Sequence, residues 1–227
     1  MEASQKPILG YWKIRGLAAN IRYQLAYSGV DYENVEYTQG PAPDFSRAEW
    51  LDKKFTLGLD FPNLPYLMHG DLKLTESLAI HKYLAEVYDQ SLLGKNAVDK
   101  ARANMFAGVI TDLKMKVTMP CYVSGDKNEI IEEYKKRLPP ILDNKGDKPF
   151  LIGDYPTYID FYFFEIVQLL KMVTEGEVLK EFPALVSYCV RMQGLKGLKE
   201  YLADPNCHDA KLIFNNTVAK INGTQGF

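Results

Sequence analysis

Pro7-Ile8-Leu9-Gly10-Tyr11 is a short apolar run that ends where Trp12-Lys13-Ile14-Arg15-Gly16-Leu17 begins. It predicts a β-strand with a phenol at its carboxyl end. Open α/β sheets bind their ligands outside that end of their strands, so the Tyr11 hydroxyl faces whatever the domain holds. One tyrosine among 15 carries little weight alone, because most are half-buried amphipaths. A second stretch raises Tyr11 above that background: Leu57-Gly58-Leu59-Asp60-Phe61-Pro62-Asn63-Leu64-Pro65-Tyr66-Leu67-Met68, followed by Thr75-Glu76-Ser77-Leu78-Ala79-Ile80.

Working outward, the first ninety residues alternate short apolar runs with helical stretches. Pro7 to Tyr11 is a strand, Ala18 to Ser28 a helix closed by Gly29, and Tyr32 to Tyr37 a second strand. Ser46 to Lys54 predicts a short helix, with Ser46 as its cap and Glu49 three residues on, as in a capping box. Tyr66 to Met68 and Leu72 to Leu74 predict two strands turned at His69-Gly70-Asp71, and Glu76 to Tyr88 a closing helix.

Beyond about Gly94 the strand pattern stops and apolar residues recur at three- and four-residue spacing, which predicts an all-helical half. Asp99 to Met119 is one long helix expected to stop at Pro120, and Glu129 to Leu138 a second expected to end before Pro139-Pro140, since proline lacks the amide donor. Thr157-Tyr158-Ile159-Asp160 opens a third, Thr157 capping free amides and Asp160 favouring the positive helix end. Its continuation, Phe161 to Leu170, is apolar nearly all round, as the central helix of a domain is. Pro183 to Gln193 and Lys196 to Leu202 supply two more, and Asn222 to Phe227 reads as a loose tail.

The chain has 227 residues, 47% hydrophobic and 25% charged, enough for a substantial core in one or two domains. A net charge of −2 gives no whole-chain basic excess for nucleic acid or anionic lipid. The opening Met1 to Lys6 has no apolar core of a signal, and no uncharged stretch approaches the ~18 residues of a spanning helix. A soluble, cytoplasmic protein with no membrane partner is expected. Cys121, Cys189 and Cys207 have no C-x-x-C spacing, and His69, His81 and His208 are scattered, so disulfides and metal sites are not expected. The sequons at Asn215 and Asn222 lack a secretory context.

The order βαβ-α-ββα followed by helices, with Ile8 to Trp12, Trp50-Leu51-Asp52-Lys53-Lys54-Phe55, Leu57 to Leu67 and Thr157 to Phe161 in place, resembles the mu class of the cytosolic glutathione transferases. The resemblance covers roughly residues 7 to 218. It implies an α/β plus all-α fold: an N-terminal thioredoxin-like domain over 1–92 that binds glutathione, and a C-terminal helical bundle domain over 93–227 that contributes the electrophile site.

Carried over residue by residue, the resemblance makes Tyr11 the catalytic hydroxyl, which donates a hydrogen bond to the glutathione sulfur. A donor to the charged form lowers a thiol's pKa, and the thiolate is the nucleophile. Pro65 matches a cis-proline, Leu64 then offers its backbone to the cysteinyl unit, and Ser77 holds the γ-glutamyl carboxylate at a helix start. Glu76 stands where the class has glutamine. Trp12, Trp50, Lys54 and Asn63 match the surroundings of the glycyl carboxylate, with Leu17 and, from the Thr38 to Arg47 loop, Arg47 also at the glutathione site. Asp112 matches an acid that reaches the neighbouring subunit's glutathione, and Phe61 an aromatic that inserts into the partner of a homodimer. Ile14, Leu17, Thr111, Met115, Tyr122, Phe214 and Asn215 match the electrophile site, Tyr122 with a hydroxyl that assists some additions.

The resemblance therefore implies a homodimeric transferase that conjugates glutathione, as co-substrate and with no other cofactor, to electrophilic, largely apolar molecules. Three rivals share the fold: a glutathione-dependent isomerase, a non-catalytic carrier or structural relative, and a partner-binding regulator.

Overall fold

The computed structural model describes residues 5–207, 209, 213–214 and 218–223. Its first half is β1 (Ile8–Trp12), α1 (Ala19–Tyr27), β2 (Glu33–Tyr37), α2 (Ala48–Lys54), β3 (Tyr66–His69), β4 (Leu72–Thr75) and α3 (Ser77–Tyr88). The strands lie in the order β2-β1-β3-β4, with β1 parallel to β2 and antiparallel to β3, and β3 antiparallel to β4. Leu9 and Leu67 pair across β1 and β3 and, with Ile80 and Leu84 of α3 and Ile21 and Leu25 of α1, fill the core beside the sheet. The expected turn between β3 and β4 tightens to Gly70-Asp71, with Gly70 at φ 61°.

The second half is helical: a short 3₁₀ turn (Gln90–Leu93), then α4 (Ala97–Tyr122), α5 (Lys127–Lys145), α6 (Tyr158–Val173), α7 (Glu177–Glu181), α8 (Ala184–Gln193) and α9 (Leu198–Ala203). The 3₁₀ turn and α7, each one turn long, had no counterpart in the periodicity. α6 is the buried axis, as its apolar run requires, with Phe161, Phe163, Phe164 and Val167 withdrawn from water. α1 packs on it through Tyr27 and Phe161, ring centroids 5.4 Å apart, and Tyr23 and Phe164 at 5.7 Å. Where α9 meets α1, a Cβ on Gly197 would fall 2.3 Å from the Ala26 carbonyl, so that approach demands glycine. At the start of α6 the Asp160 carboxylate accepts from Thr157 N–H, Thr157 Oγ1 and Leu151 N–H at 2.8–2.9 Å.

Two expected helix ends are corrected. α4 runs through Pro120 to Tyr122, and α5 through Pro139 and Pro140 to Lys145. Each proline removes the donor for a carbonyl four residues earlier, at Lys116, Lys135 and Lys136. All three of those residues are exposed, where water supplies the missing donor, so the helices continue. The capping box at α2 is also corrected: Ser46 Oγ accepts from Ala48 N–H at 3.3 Å, but Glu49 turns outward to accept from Thr38 N–H at 2.6 Å. Among the described residues, no helix is long and apolar enough to cross a membrane.

Candidate active site

Tyr11 lies one residue before the end of β1, opposite Glu36 of β2, with its side chain buried. The chain turns back after the strand and Gly16, at φ 45°, lies against the Tyr11 ring. A Cβ on Gly16 would fall 2.6 Å from the Tyr11 oxygen, so only glycine leaves room for the phenol. The Leu17 N–H donates to Tyr11 Oη at 3.0 Å. Because that oxygen already accepts, the phenolic proton is left for another acceptor. Burial pushes the Tyr11 pKa well up, against the smaller lowering by the Leu17 amide. The phenol therefore keeps its proton at neutral pH.

Tyr11 lines a cavity of about 220 Å³ together with Leu17, Met115, Tyr122 and Phe214. Tyr122 and Phe214 meet edge to face at 5.1 Å. The segment that brings Phe214 there is anchored at both ends of its reach. Gly16 N–H donates to the Ile213 carbonyl, and Lys220 and Ile221 N–H both donate to the Cys121 carbonyl. Asn222 grips Phe214 twice, its Oδ1 accepting from Phe214 N–H at 3.0 Å and its Nδ2 donating to the Phe214 carbonyl at 2.9 Å. This corrects the reading of a loose tail at its first residue, while 224–227 lie outside the described residues.

Gly16, Lys114, Thr118 and Tyr162 also line the cavity, and sequence reading missed all four. For two of them the signal was the spacing of α4: 111, 115, 118 and 122 fall on one face, and 114 beside them, once the helix is known to pass Pro120. Thr111 is half-buried, donates to the Ala107 carbonyl at 2.7 Å and sits by the Tyr162 hydroxyl. Ile14 packs in the core beside the sheet. Asn215 lies outside the described residues.

The residues matched to glutathione come from several elements. Trp12 is edge-on to Tyr37, and Trp50 of α2 is buried against Tyr37 and stacked on Tyr66. Arg47 caps α2 and is exposed, Lys54 closes that helix with its ammonium 5.3 Å from the Phe55 ring, and Asn63 is exposed. The Leu64-Pro65 peptide is cis. Glu76 is exposed at the turn from β4 into α3 and holds φ 70°, uncommon for a residue with a side chain. Ser77 starts α3 and lies near the Tyr162 hydroxyl. Asp112 and Phe61 are exposed, Phe61 at 77%.

Behind the site a charged network joins the two halves. Arg15 is buried and forks onto Glu165 of α6 at 3.0 and 2.6 Å, and Tyr23 donates to the same carboxylate at 2.7 Å. Arg22 meets Asp209 at 2.7 Å, which also accepts from Tyr201 at 2.7 Å. His81 is buried between Asn20 and Gln24, where burial drives its pKa down to about 3 and keeps it neutral.

Comparison with known proteins agrees with this geometry. Residues 7–86 match the model of the glutathione S-transferase N-terminal domain, and residues 112–205 that of the C-terminal domain. The chain is similar to "Glutathione S-transferase Mu 1" of Mus musculus, 38% identical over 86% of this chain and 89% of that protein. It is 40% identical to a glutathione S-transferase of Dermatophagoides pteronyssinus over 87% of this chain and 90% of the other. Among solved structures, the glutathione S-transferase Blo t 8 superposes with a TM-score of 0.80 at 30% identity, covering 94% of this chain and 99% of that one.

Proposed function

The chain belongs to the glutathione S-transferase family, with mu-class relatives, and we propose that its own chemistry is conjugation of the glutathione thiolate to electrophilic, largely apolar small molecules. One observation carries the residue assignment: the Tyr11 oxygen accepts from Leu17 N–H, so the phenolic proton is left for a sulfur at the cavity wall. A fixed donor at the developing or existing anion is worth most where water is excluded. Tyr11 holds the thiolate and the sulfur attacks; Tyr11 is no nucleophile itself.

In this reading Ser77 and Glu76 hold the γ-glutamyl end, Leu64 offers its backbone to the cysteinyl unit, and Trp12, Arg47, Trp50, Lys54 and Asn63 surround the glycyl carboxylate. The exposed Arg47 and the half-buried Lys54 supply the cations that support that placement. Leu17, Met115, Tyr122 and Phe214 form the apolar side for the electrophile. The protein works as a cytoplasmic homodimer, with exposed Phe61 as the inserted aromatic and Asp112 reaching the neighbour's glutathione. Met105, Val109 and Met119, exposed apolar residues along α4, support a covered face there. Tyr11→Phe tests the assignment: turnover of a neutral aryl halide should fall roughly ten- to a thousandfold while glutathione affinity stays similar. Turnover within twofold of wild type would refute it.

A further inference from the structure

The cavity beside Tyr11 is lined by a cation that makes no ion pair among the described residues. Lys114 of α4 is only 7% exposed, yet its ammonium reaches no carboxylate among the described residues. It touches the Gly16 carbonyl at 3.4 Å and lies 4.6 Å from the centre of the Tyr162 ring. The nearby carboxylate, Glu165, is already forked by Arg15. Burial accordingly lowers the Lys114 pKa to about 8, and Glu165 offsets this only in part.

One turn further along the same helix, the Thr118 hydroxyl is buried and has no hydrogen-bond partner. Its neighbours on α4 behave differently: Thr111 donates back to the Ala107 carbonyl at 2.7 Å and the Cys121 thiol to the Val117 carbonyl at 3.3 Å. Residues 114 and 118 share a helix face, and both line the cavity that Tyr11 lines. A buried ammonium and an idle hydroxyl on one wall leave two donors waiting for an acceptor, and a buried charge regains its lost hydration only against the opposite charge.

We propose that Lys114 and Thr118 form an anion subsite within the electrophile cavity, and that the preferred electrophiles carry a carboxylate or comparable anionic group away from the carbon that sulfur attacks. The inference rests on the transferase reading of the cavity. At about 220 Å³ the space suits a compact substrate, such as a single activated ring or a short enone bearing an acid. The two roles divide along the walls: Tyr11 marks the sulfur on the sheet side, and α4 marks the anion.

The test pairs 4-chloro-3-nitrobenzoate with its methyl ester, the same leaving group with and without the charge. The ratio of kcat/KM for acid over ester is measured in the wild type, Lys114→Met, Lys114→Arg and Thr118→Val. Differences in intrinsic reactivity and in glutathione binding cancel when that ratio is compared between proteins. Lys114→Met should lower it by about ten- to a hundredfold, the worth of a hydrogen bond to a charged group. Lys114→Arg should keep most of it, and Thr118→Val should lower it by about threefold to tenfold. An unchanged ratio in Lys114→Met overturns the inference while ester turnover leaves the transferase reading standing. If neither compound were turned over, that reading would fail instead. Calorimetric binding of 3-nitrobenzoate against its methyl ester would then decide the subsite: equal affinities overturn it, and an acid preference lost in Lys114→Met supports it.

Discussion

Arg15, in the loop after β1, and Lys114, on α4 against the Gly16 carbonyl of that loop, are both cations withdrawn from water, and the protein treats them in opposite ways. Arg15 has two hydrogen bonds to Glu165 and a third to Tyr23, so its charge is spent inside the fold. Lys114 faces a cavity with a carbonyl and an aromatic ring for company. The first region behaves as a joint between the two halves and the second as a site. Burial alone does not separate the two; what separates them is whether the buried charge has a carboxylate partner.

The sharpest break of this comparison is Arg15→Met. It removes one member of a buried pair and strands the Glu165 carboxylate, which should destabilise the fold by about 3–5 kcal/mol in denaturant unfolding. A loss under 1 kcal/mol would mean that the joint carries no load. Lys114→Met should act in the opposite direction. The folded-state pKa of about 8 lies below the ordinary 10.5, so this group's contribution to stability is present above the unfolded value and lost as pH falls through about 8. At pH 7 the charge costs stability, and Lys114→Met should raise it by on the order of 2–3 kcal/mol, a gain that fades toward pH 10. Destabilisation at pH 7 would assign Lys114 to the joint after all. The smallest effect is expected at Glu76, an exposed charge that belongs to neither region. Glu76→Gln exchanges one acceptor for another and should shift the Michaelis constant for glutathione by about 1 kcal/mol or less in equivalent free energy. Abolished binding would make Glu76 indispensable.

The same contrast explains what could be read from the residues alone. β1 and β3 were legible as short apolar runs beside turn formers, and α6 because Phe161 to Leu170 is apolar nearly all round. Tyr11, Pro65 and Ser77 were legible as a motif in order. The ends of α4 and α5 were not, because a proline stops a helix only where the orphaned carbonyl has no water, and exposure at Lys116, Lys135 and Lys136 is a tertiary fact. Lys114 was missed for a related reason. A lysine in a helix is ordinarily read as solvated, and only the seating of α4 against Gly16 and Tyr162 turns it inward.

The central claim is that the Tyr11 hydroxyl donates to the sulfur of bound glutathione. Ultraviolet difference titration of the glutathione complex measures it directly, since the bound thiolate absorbs and the thiol does not. A free thiol titrates near ~8.5, and about two units of lowering place the bound value near neutral or below. In the wild type that low value is expected, and in Tyr11→Phe, which still binds glutathione, the value should return by at least about one unit toward the free thiol. The same thiol pKa in both proteins would contradict the account.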